Sequence, residues 1–239
     1  MELNASAMEY DVLNAQIRAI EGDVTLTDVC GQRFIGAGLS GREITIEGVP
    51  GNALGAYLNG ANITVHGNAQ DAVGDTMNEG EIIIHGNIGD AAGYAMRGGT
   101  MYIRGNAGYR AGIHMKEYKE KRPVIVIGGC TGSFLAEYQA GGRIVVLGLD
   151  CGDAPIVGGF PCTGMHGGKL FLRGDCTGVT FPAQVTKRCA TEEDMEEIKP
   201  YLQKFADCFG YDATELLESH FTVVVPDSSN PYKQLYVAN

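Results

Sequence analysis

The sequence has no tryptophan, no long apolar run and few clustered basic residues. Without an apolar stretch of about 20 residues it has no candidate membrane span. The first residues, Met1–Ala5, lack the basic and apolar regions of a signal peptide. The net charge of −11 disfavours nucleic acid as a partner, because phosphate binding needs clustered Lys and Arg. We therefore expect a cytoplasmic chain that binds neither membrane nor nucleic acid.

The seven cysteines form no CxxC pair and no zinc-type spacing. Their odd number and the expected cytoplasmic setting argue against a disulfide framework. Cys130 and Cys176 each follow a strand-ending glycine by two residues, which predicts small core positions. Cys151, Cys162, His166 and Cys176 would form a metal site only if the intervening loop folded back, and their irregular spacing disfavours this.

Glycine is abundant, at 35 of 239 residues, and it is arranged in a repeat. Three similar segments end in Gly67-Asn, Gly86-Asn and Gly105-Asn, and their closing glycines are 19 residues apart. Apolar and polar residues alternate within them, as in Ile63-Thr-Val-His66, which is the periodicity of a β-strand. A fixed period near 20 residues with glycine corners predicts stacked coils of a β-helix.

A second glycine recurs with the same period, and we interpret it as a structural corner that needs a positive φ or close backbone approach. These corner glycines are Gly36, Gly55, Gly74, Gly93 and Gly112. The predicted fold is all-β, a single-stranded right-handed parallel β-helix of eight strand rungs with an N-terminal helix and a C-terminal helical tail. We place an N-terminal capping helix at 1–22, the β-helix at 23–190 and the helical extension at 191–239.

Both ends of the chain carry helix signals. Ser6-Ala-Met-Glu9 predicts a capping box for a helix that covers the first coil. Near the other end, Thr191-Glu-Glu-Asp194 predicts a helix start, Pro200 a kink or a division into two helices, and Gly210 a helix stop. A second helix is expected from Asp212 to about His220, and the segment should dock along the side or far end of the rod.

Several polar residues recur at equivalent positions. His66 and His85 fall in adjacent coils and could bind a metal, but Glu47 and Arg104 continue the row, which favours an exposed polar row instead. Two further rows are interpreted as turn and stacking residues rather than paired catalytic carboxylates, because active sites are singular whereas scaffolds repeat. They are Asn68, Asn87, Asn106 and Asp175, and Asn52, Asp71 and Asp90. We assign no catalytic, cofactor-binding or metal-binding residue.

The repeat breaks after Gly112, where a charged loop at 114–123 lengthens the coil by an expected four residues. We prefer this loop as a contact surface for another protein over a merely solvated loop. The candidate contact residues are Lys116, Glu117, Tyr118, Lys119, Lys121 and Arg122. The sequence leaves homo-oligomerisation open.

The glycine repeat closely resembles the GXGXG domain at the end of the large subunit of glutamate synthase. The resemblance rests on the segments Gly67–Gly74 and Gly86–Gly99 and on a tail containing Phe221 and Tyr232. It implies a right-handed β-helix that acts as a non-catalytic scaffold and binds no cofactor itself. The implied partners are separately encoded subunits, one of the glutaminase type and one carrying FMN and an iron–sulfur cluster, in a complex for glutamate biosynthesis.

Two alternatives remain. The repeat is also similar to the β-helical subunit of formylmethanofuran dehydrogenase, which likewise accompanies catalytic subunits. The tail favours glutamate synthase, since a bare coil domain would not require it. A stand-alone β-helix enzyme would need clustered acids and aromatic platforms, which we do not find in the repeat.

Overall fold

The computed structural model describes residues 1–229, and within them one eleven-stranded sheet and three helices form. The sheet order is β1-β2-β3-β4-β5-β6-β7-β8-β9-β11-β10. The strands are β1 (Glu2–Asn4), β2 (Val24–Cys30), β3 (Glu43–Val49), β4 (Asn59–His66), β5 (Glu79–Ile84), β6 (Thr100–Ile103), β7 (Val124–Ile127), β8 (Ala140–Val146), β9 (Gly167–Arg173), β10 (Val185–Cys189) and β11 (Phe221–Pro226). The helices are α1 (Tyr10–Ala19), α2 (Glu192–Phe209) and α3 (Ala213–Glu218).

Strands β2 to β9 are parallel to one another, and each belongs to a different coil. The chain is therefore a parallel β-solenoid of about eight turns, and the predicted all-β parallel β-helix is confirmed. Alternate side chains of each strand face inward, so residues in equivalent positions stack into one apolar core. One such row is Ile44, Ile63, Ile82, Met101, Ile125, Ile144 and Leu170, all of them buried.

The coils are not of equal length. The regular coils repeat every 19 residues, as between Asn87 and Asn106. The next coil takes 24, because the backbone N–H of Cys130 binds the Asn106 side chain. The insertion at 114–123 is thus five residues rather than the expected four. Consequently Thr131, not Cys130, pairs with Ala107 in the core, so the predicted core position of Cys130 was wrong.

Helix α1 covers the N-terminal end of the core, as expected, and fully buries Leu13 and Ile17. The predicted capping box does not form, because Glu9 is the N-cap residue and no side chain caps it. Ser6 instead donates its backbone N–H to Asn4 Oδ1 at 2.8 Å. A tight turn between β1 and α1 uses Ser6, so the helix begins later than the pattern indicated.

The C-terminal segment contains the predicted helix start and helix stop. Thr191 and Asp194 form a reciprocal capping box, and Gly210 ends α2 with a φ of 74°. The helix continues through Pro200 and is not divided there. Strand β11 then pairs antiparallel with β9, and β10 pairs antiparallel with β11. Tyr232, part of the family resemblance, lies outside the described residues.

Helix α2 lies against the outer face of the sheet, where the later strands are apolar. Its residues Ile198, Leu202 and Phe205 are fully buried in a second apolar cluster. The sheet contributes Tyr102, Val124, Val126, Val145, Leu147 and Phe171 to this cluster. The segment therefore docks along the side of the rod through α2 and at its far end through β11.

Candidate partner-contact surface

The five corner glycines lie inside the scaffold. Their φ angles are 63° to 74°, in the left-handed region that favours glycine. A Cβ added at Gly55 would lie 2.7 Å from Ile82 Cδ1 of the next coil, and at Gly36 the same distance from Ile63 Cδ1. These positions have no free space for a ligand beside them, since core side chains already occupy it.

Each corner contains three left-handed residues at alternate positions, with φ between 50° and 74°. The seven triplets are Phe34, Gly36 and Gly38; Ala53, Gly55 and Tyr57; Ala72, Gly74 and Thr76; Ala91, Gly93 and Ala95; Arg110, Gly112 and His114; Phe134, Ala136 and Tyr138; and Phe160, Cys162 and Gly164. Hydrogen bonds between coils hold this conformation, for example from Ala53 N–H to Asp71 O at 2.9 Å. A side chain in such a conformation costs on the order of 1–2 kcal/mol, which these inter-coil bonds offset.

The two repeated polar rows are architectural. Each Asn side chain accepts a hydrogen bond from the backbone of the next coil, from Asn87 N–H to Asn68 Oδ1 at 2.8 Å and from Asn106 N–H to Asn87 Oδ1 at 2.7 Å. The Asp row does the same, with Asp90 N–H donating to Asp71 Oδ1 at 2.9 Å. These side-chain oxygens therefore link one coil to the next, as expected for stacking and turn residues. Asp175 Oδ1 instead lies 3.1 Å from His220 Nε2.

The histidine row is stacked and partly exposed. The rings of His66 and His85 have centroids 4.7 Å apart, and His66 Nε2 lies 4.0 Å from Glu47 Oε1. Burial, then the neighbouring His66 and Arg104, lower the pKa of His85. No group of three or more His, Cys, Asp or Glu side chains able to hold a metal occurs among residues 1–229.

The candidate cysteine and histidine metal set does not converge. Cys151 forms a disulfide with Cys130, contrary to the arguments against a disulfide framework. Because of the five-residue insertion, Cys130 takes the position one coil after Asn106 in the outward-facing row. The loop that follows β8 brings Cys151 next to it. Cys162 is buried and free, and burial raises its pKa to about 12. His166 Nδ1 contacts Gly164 O at 3.0 Å.

A network of charges joins α2 to the sheet. Lys169 Nζ lies 2.8 Å from both Asp194 Oδ1 and Glu197 Oε2, and Arg143 Nε lies 2.6 Å from Glu197 Oε1. Burial would raise the pKa of Asp194, but hydrogen bonds from Arg188 and Lys169 hold it well below its usual range. The network therefore fixes α2 in place and leaves these groups unavailable to a partner.

The charged loop at 114–123 is partly tied to this network. Arg122 contacts Glu117 at 3.3 Å and Glu197 at 3.2 Å, and Lys121 Nζ lies 2.7 Å from Glu79 Oε2. Three of the six candidate contact residues thus make internal ion pairs.

The other three candidates are Lys116, Tyr118 and Lys119, and all are exposed. Lys119 Nζ lies 5.4 Å from the centre of the Tyr118 ring. These three residues form the part of the loop that is available to another molecule.

Sequence reasoning missed the residues that border this part of the loop. The rings of His114 and Tyr138 stack with centroids 5.2 Å apart and planes 7° apart, and Tyr94 contacts His114 edge-on at 5.9 Å. Arg97, which occupies the position equivalent to Lys116 in the preceding coil, was likewise missed. The sequence indicates this ring stack only if the insertion is counted as five residues, because His114 and Tyr138 then occupy equivalent positions in adjacent coils.

By its fold the chain is a parallel β-solenoid with helix α2 packed against one side. The family model described as GXGXG motif matches residues 2–228, and the chain belongs to that family. An uncharacterized protein of Methanocaldococcus jannaschii is 42% identical over 248 aligned residues, which cover 98% of this chain and 95% of the relative. The sequence-based likeness to GXGXG domains is thus confirmed.

A solved structure is similar over most of the chain. The X-ray crystal structure of the formyltransferase/hydrolase complex FhcABCD from Methylorubrum extorquens, with methylofuran, contains a chain that matches with a TM-score of 0.65 and 25% identity. The match covers 84% of this chain and 71% of that chain. No helix among residues 1–229 is long and apolar enough to cross a membrane.

Proposed function

We propose that this chain is a non-catalytic structural subunit that holds separately encoded catalytic subunits together. The observation that carries the proposal is the similarity to a chain of the FhcABCD complex, in which the same kind of solenoid is one component of a multi-subunit enzyme. The use of the repeated Asn and Asp oxygens for inter-coil bonds agrees with a scaffold role. The first candidate host is accordingly a complex of the formyltransferase and formylmethanofuran dehydrogenase type, with this chain in the role of its β-helical subunit.

A second candidate host is a glutamate-synthase-like complex. Its support is the C-terminal segment, in which a helix pair leads into Phe221–Pro226, and the family model extends through that segment. In this case the partners are a glutaminase-type subunit and a subunit that carries FMN and an iron–sulfur cluster. The chain itself then binds no cofactor and acts in the cytoplasm.

The test is affinity isolation of the tagged chain from its own host, followed by identification of the co-purifying subunits by mass spectrometry. Subunits of a formyltransferase/hydrolase support the first host. A glutaminase subunit with a subunit that shows flavin and iron–sulfur absorbance supports the second. The purified lone chain serves as the control. Flavin absorbance or glutaminase activity in the lone chain contradicts the scaffold proposal, as does isolation of the chain without any partner.

A further inference from the structure

We propose that one surface of the solenoid docks an acidic segment of a partner subunit, an inference that rests on the proposed scaffold function. The surface, here termed the cation–aromatic patch, comprises Arg97, Lys116, Tyr118 and Lys119 together with the ring stack of Tyr94, His114 and Tyr138.

The backbone places the cations of the patch side by side. Arg97 N–H donates to Met77 O at 2.8 Å, and Lys116 N–H donates to Met96 O at 3.0 Å, so Arg97 and Lys116 occupy equivalent positions in adjacent coils. Equivalent residues in adjacent coils stand about 5 Å apart. Lys119 follows three residues later in the same loop, so at most about 11 Å of backbone separates it from Lys116.

Three of the acids around the patch are already paired. Glu79 binds Lys121 at 2.7 Å, Glu137 binds Arg110 at 3.0 Å, and Glu117 contacts Arg122 and Arg143.

By contrast, Arg97, Lys116 and Lys119 have no ion-pair partner in the described part of the chain, and Arg97 Nε is buried there without a hydrogen-bond partner. The neighbouring Glu120 is the one unpaired acid of the loop among residues 114–123. A chain of net charge −11 thus carries a locally positive area whose charges are unsatisfied.

The aromatic residues give the patch the composition of a binding surface. Tyr94 and Tyr118 are 42% and 48% exposed, and the ring stack next to them continues across two coils. Tyrosine and arginine are enriched in the energetically important parts of protein interfaces, because they combine apolar area with polar contacts. Charge complementarity selects an acidic partner segment, whereas the overall negative charge of the chain disfavours a phosphate backbone.

The test uses the complex isolated from the host, treated with nuclease and then with a carbodiimide that joins amines to carboxylates in direct contact. We expect Lys116 and Lys119 to cross-link to Asp or Glu of one co-purifying subunit. The control is Lys187 on β10, which is exposed and has no ion-pair partner in the described part of the chain; it should not cross-link.

Affinity measurements on matched variants complete the test. Lys116→Glu should weaken binding of that purified subunit about tenfold and reduce its salt dependence, whereas Lys187→Glu should leave both unchanged. Both changes lie at exposed positions, and urea unfolding of each variant checks that folding is preserved. Replacing the cross-linked Asp or Glu of the partner subunit by Lys should restore binding of that subunit to the Lys116→Glu variant.

The outcomes separate this inference from the proposed function. If subunits co-purify but cross-links lie elsewhere and Lys116→Glu binds normally, the patch is not the docking surface and the scaffold function stands. If nuclease releases the bound material, the patch binds nucleic acid and the inference is wrong. If no subunit co-purifies, the scaffold function and the docking surface both fail.

Discussion

The side-chain oxygen of Asn68 accepts a hydrogen bond from the backbone N–H of Asn87, one coil later, at 2.8 Å. Asn87 Oδ1 in turn accepts from Asn106 N–H at 2.7 Å. The same atom explains the glycine before Asn87, since a Cβ at Gly86 would clash with Asn68 Oδ1, and a Cβ at Gly105 would clash with Asn87 Oδ1 in the same way. The Gly-Asn pair is therefore one structural unit, in which the glycine makes room for the oxygen that binds the next coil.

We expect Asn87→Ala to destabilise the solenoid by about 1–2 kcal/mol, because it leaves the Asn106 N–H without its acceptor. Asn87→Asp should cost less, since Asp71 and Asp90 make the same bond with a carboxylate. Urea unfolding monitored by circular dichroism measures both changes. Asn59→Ala is the control, as Asn59 is exposed and its side chain makes no hydrogen bond in the described part. Equal losses for Asn87→Ala and Asn59→Ala would show that the row contributes nothing.

The corner glycines allow steric exclusion to be separated from backbone strain. A Cβ at Gly55 would meet Ile82 Cδ1 at 2.7 Å, whereas a Cβ at Gly38 would meet nothing within 4 Å, and both residues have φ above 60°. Gly38→Ala should thus cost only the strain, about 1 kcal/mol. Gly55→Ala should cost about 2–3 kcal/mol, because overpacking is added to that strain.

The double variant Gly55→Ala/Ile82→Val identifies the clash directly. Removing the Ile82 Cδ1 atom should recover part of the loss from Gly55→Ala, even though Ile82→Val alone is destabilising by about 1 kcal/mol. A double-mutant cycle of unfolding free energies measures this coupling. Additive effects would mean that strain alone, and not the side chain of the next coil, requires glycine at the corner.

The glycine spacing was enough to predict the solenoid, because only stacked coils require the same corner at a constant interval. It was not enough to predict the register after Gly112. Gly128 and Gly129 both satisfy the pattern, and contacts between coils, such as the hydrogen bond from Gly129 N–H to Gly105 O, distinguish them. The error of one residue moved Cys130 from the outward row to the core. The disulfide itself was missed because the odd number of cysteines and the expected cytoplasmic setting argued against one.

The proposed docking surface could be predicted only in part from the sequence. A loop rich in Lys and Arg was evident, but which charges are free depends on contacts between distant residues. Lys121 pairs with Glu79 across 42 residues of sequence, and Arg143 with Glu197 across 54. The non-glycine left-handed residues of the corners were equally hidden, because Ala, Tyr and Arg take a conformation that a sequence pattern assigns to glycine.

The network under α2 should make the protein sensitive to acid. The folded-state pKa values of Asp194 and Glu197 are both lowered; burial alone would raise them, but hydrogen bonds from Arg188, Arg143 and Lys169 outweigh it. A lowered pKa contributes stability above the ordinary carboxyl range, and that stability is lost as the pH falls through and below it. The melting temperature should therefore decrease as the pH is lowered below about 5.

Asp194→Asn tests this network. At neutral pH it should destabilise the fold by about 3 kcal/mol, since it leaves the cations around it uncompensated, and its melting temperature should depend less on pH than that of the wild type. Glu196→Gln is the matched control, because it removes an exposed acid from the same helix that pairs only with Lys199 in the described part. Parallel pH profiles for Asp194→Asn and the wild type would exclude Asp194 as a source of the acid sensitivity.

The Cys130–Cys151 bridge closes a loop with a sequence separation of 21. Constraining the unfolded chain over such a loop contributes about 3 kcal/mol, so Cys151→Ser should be destabilised by roughly that amount under oxidising conditions. Dithiothreitol should lower the urea midpoint of the wild type towards that of Cys151→Ser and leave the variant unchanged. Cys30→Ser, at an exposed free cysteine, should behave as the wild type in both conditions. Alkylation of all seven cysteines in the untreated, unfolded protein would contradict the bridge, whereas modification of five would identify the two that are joined.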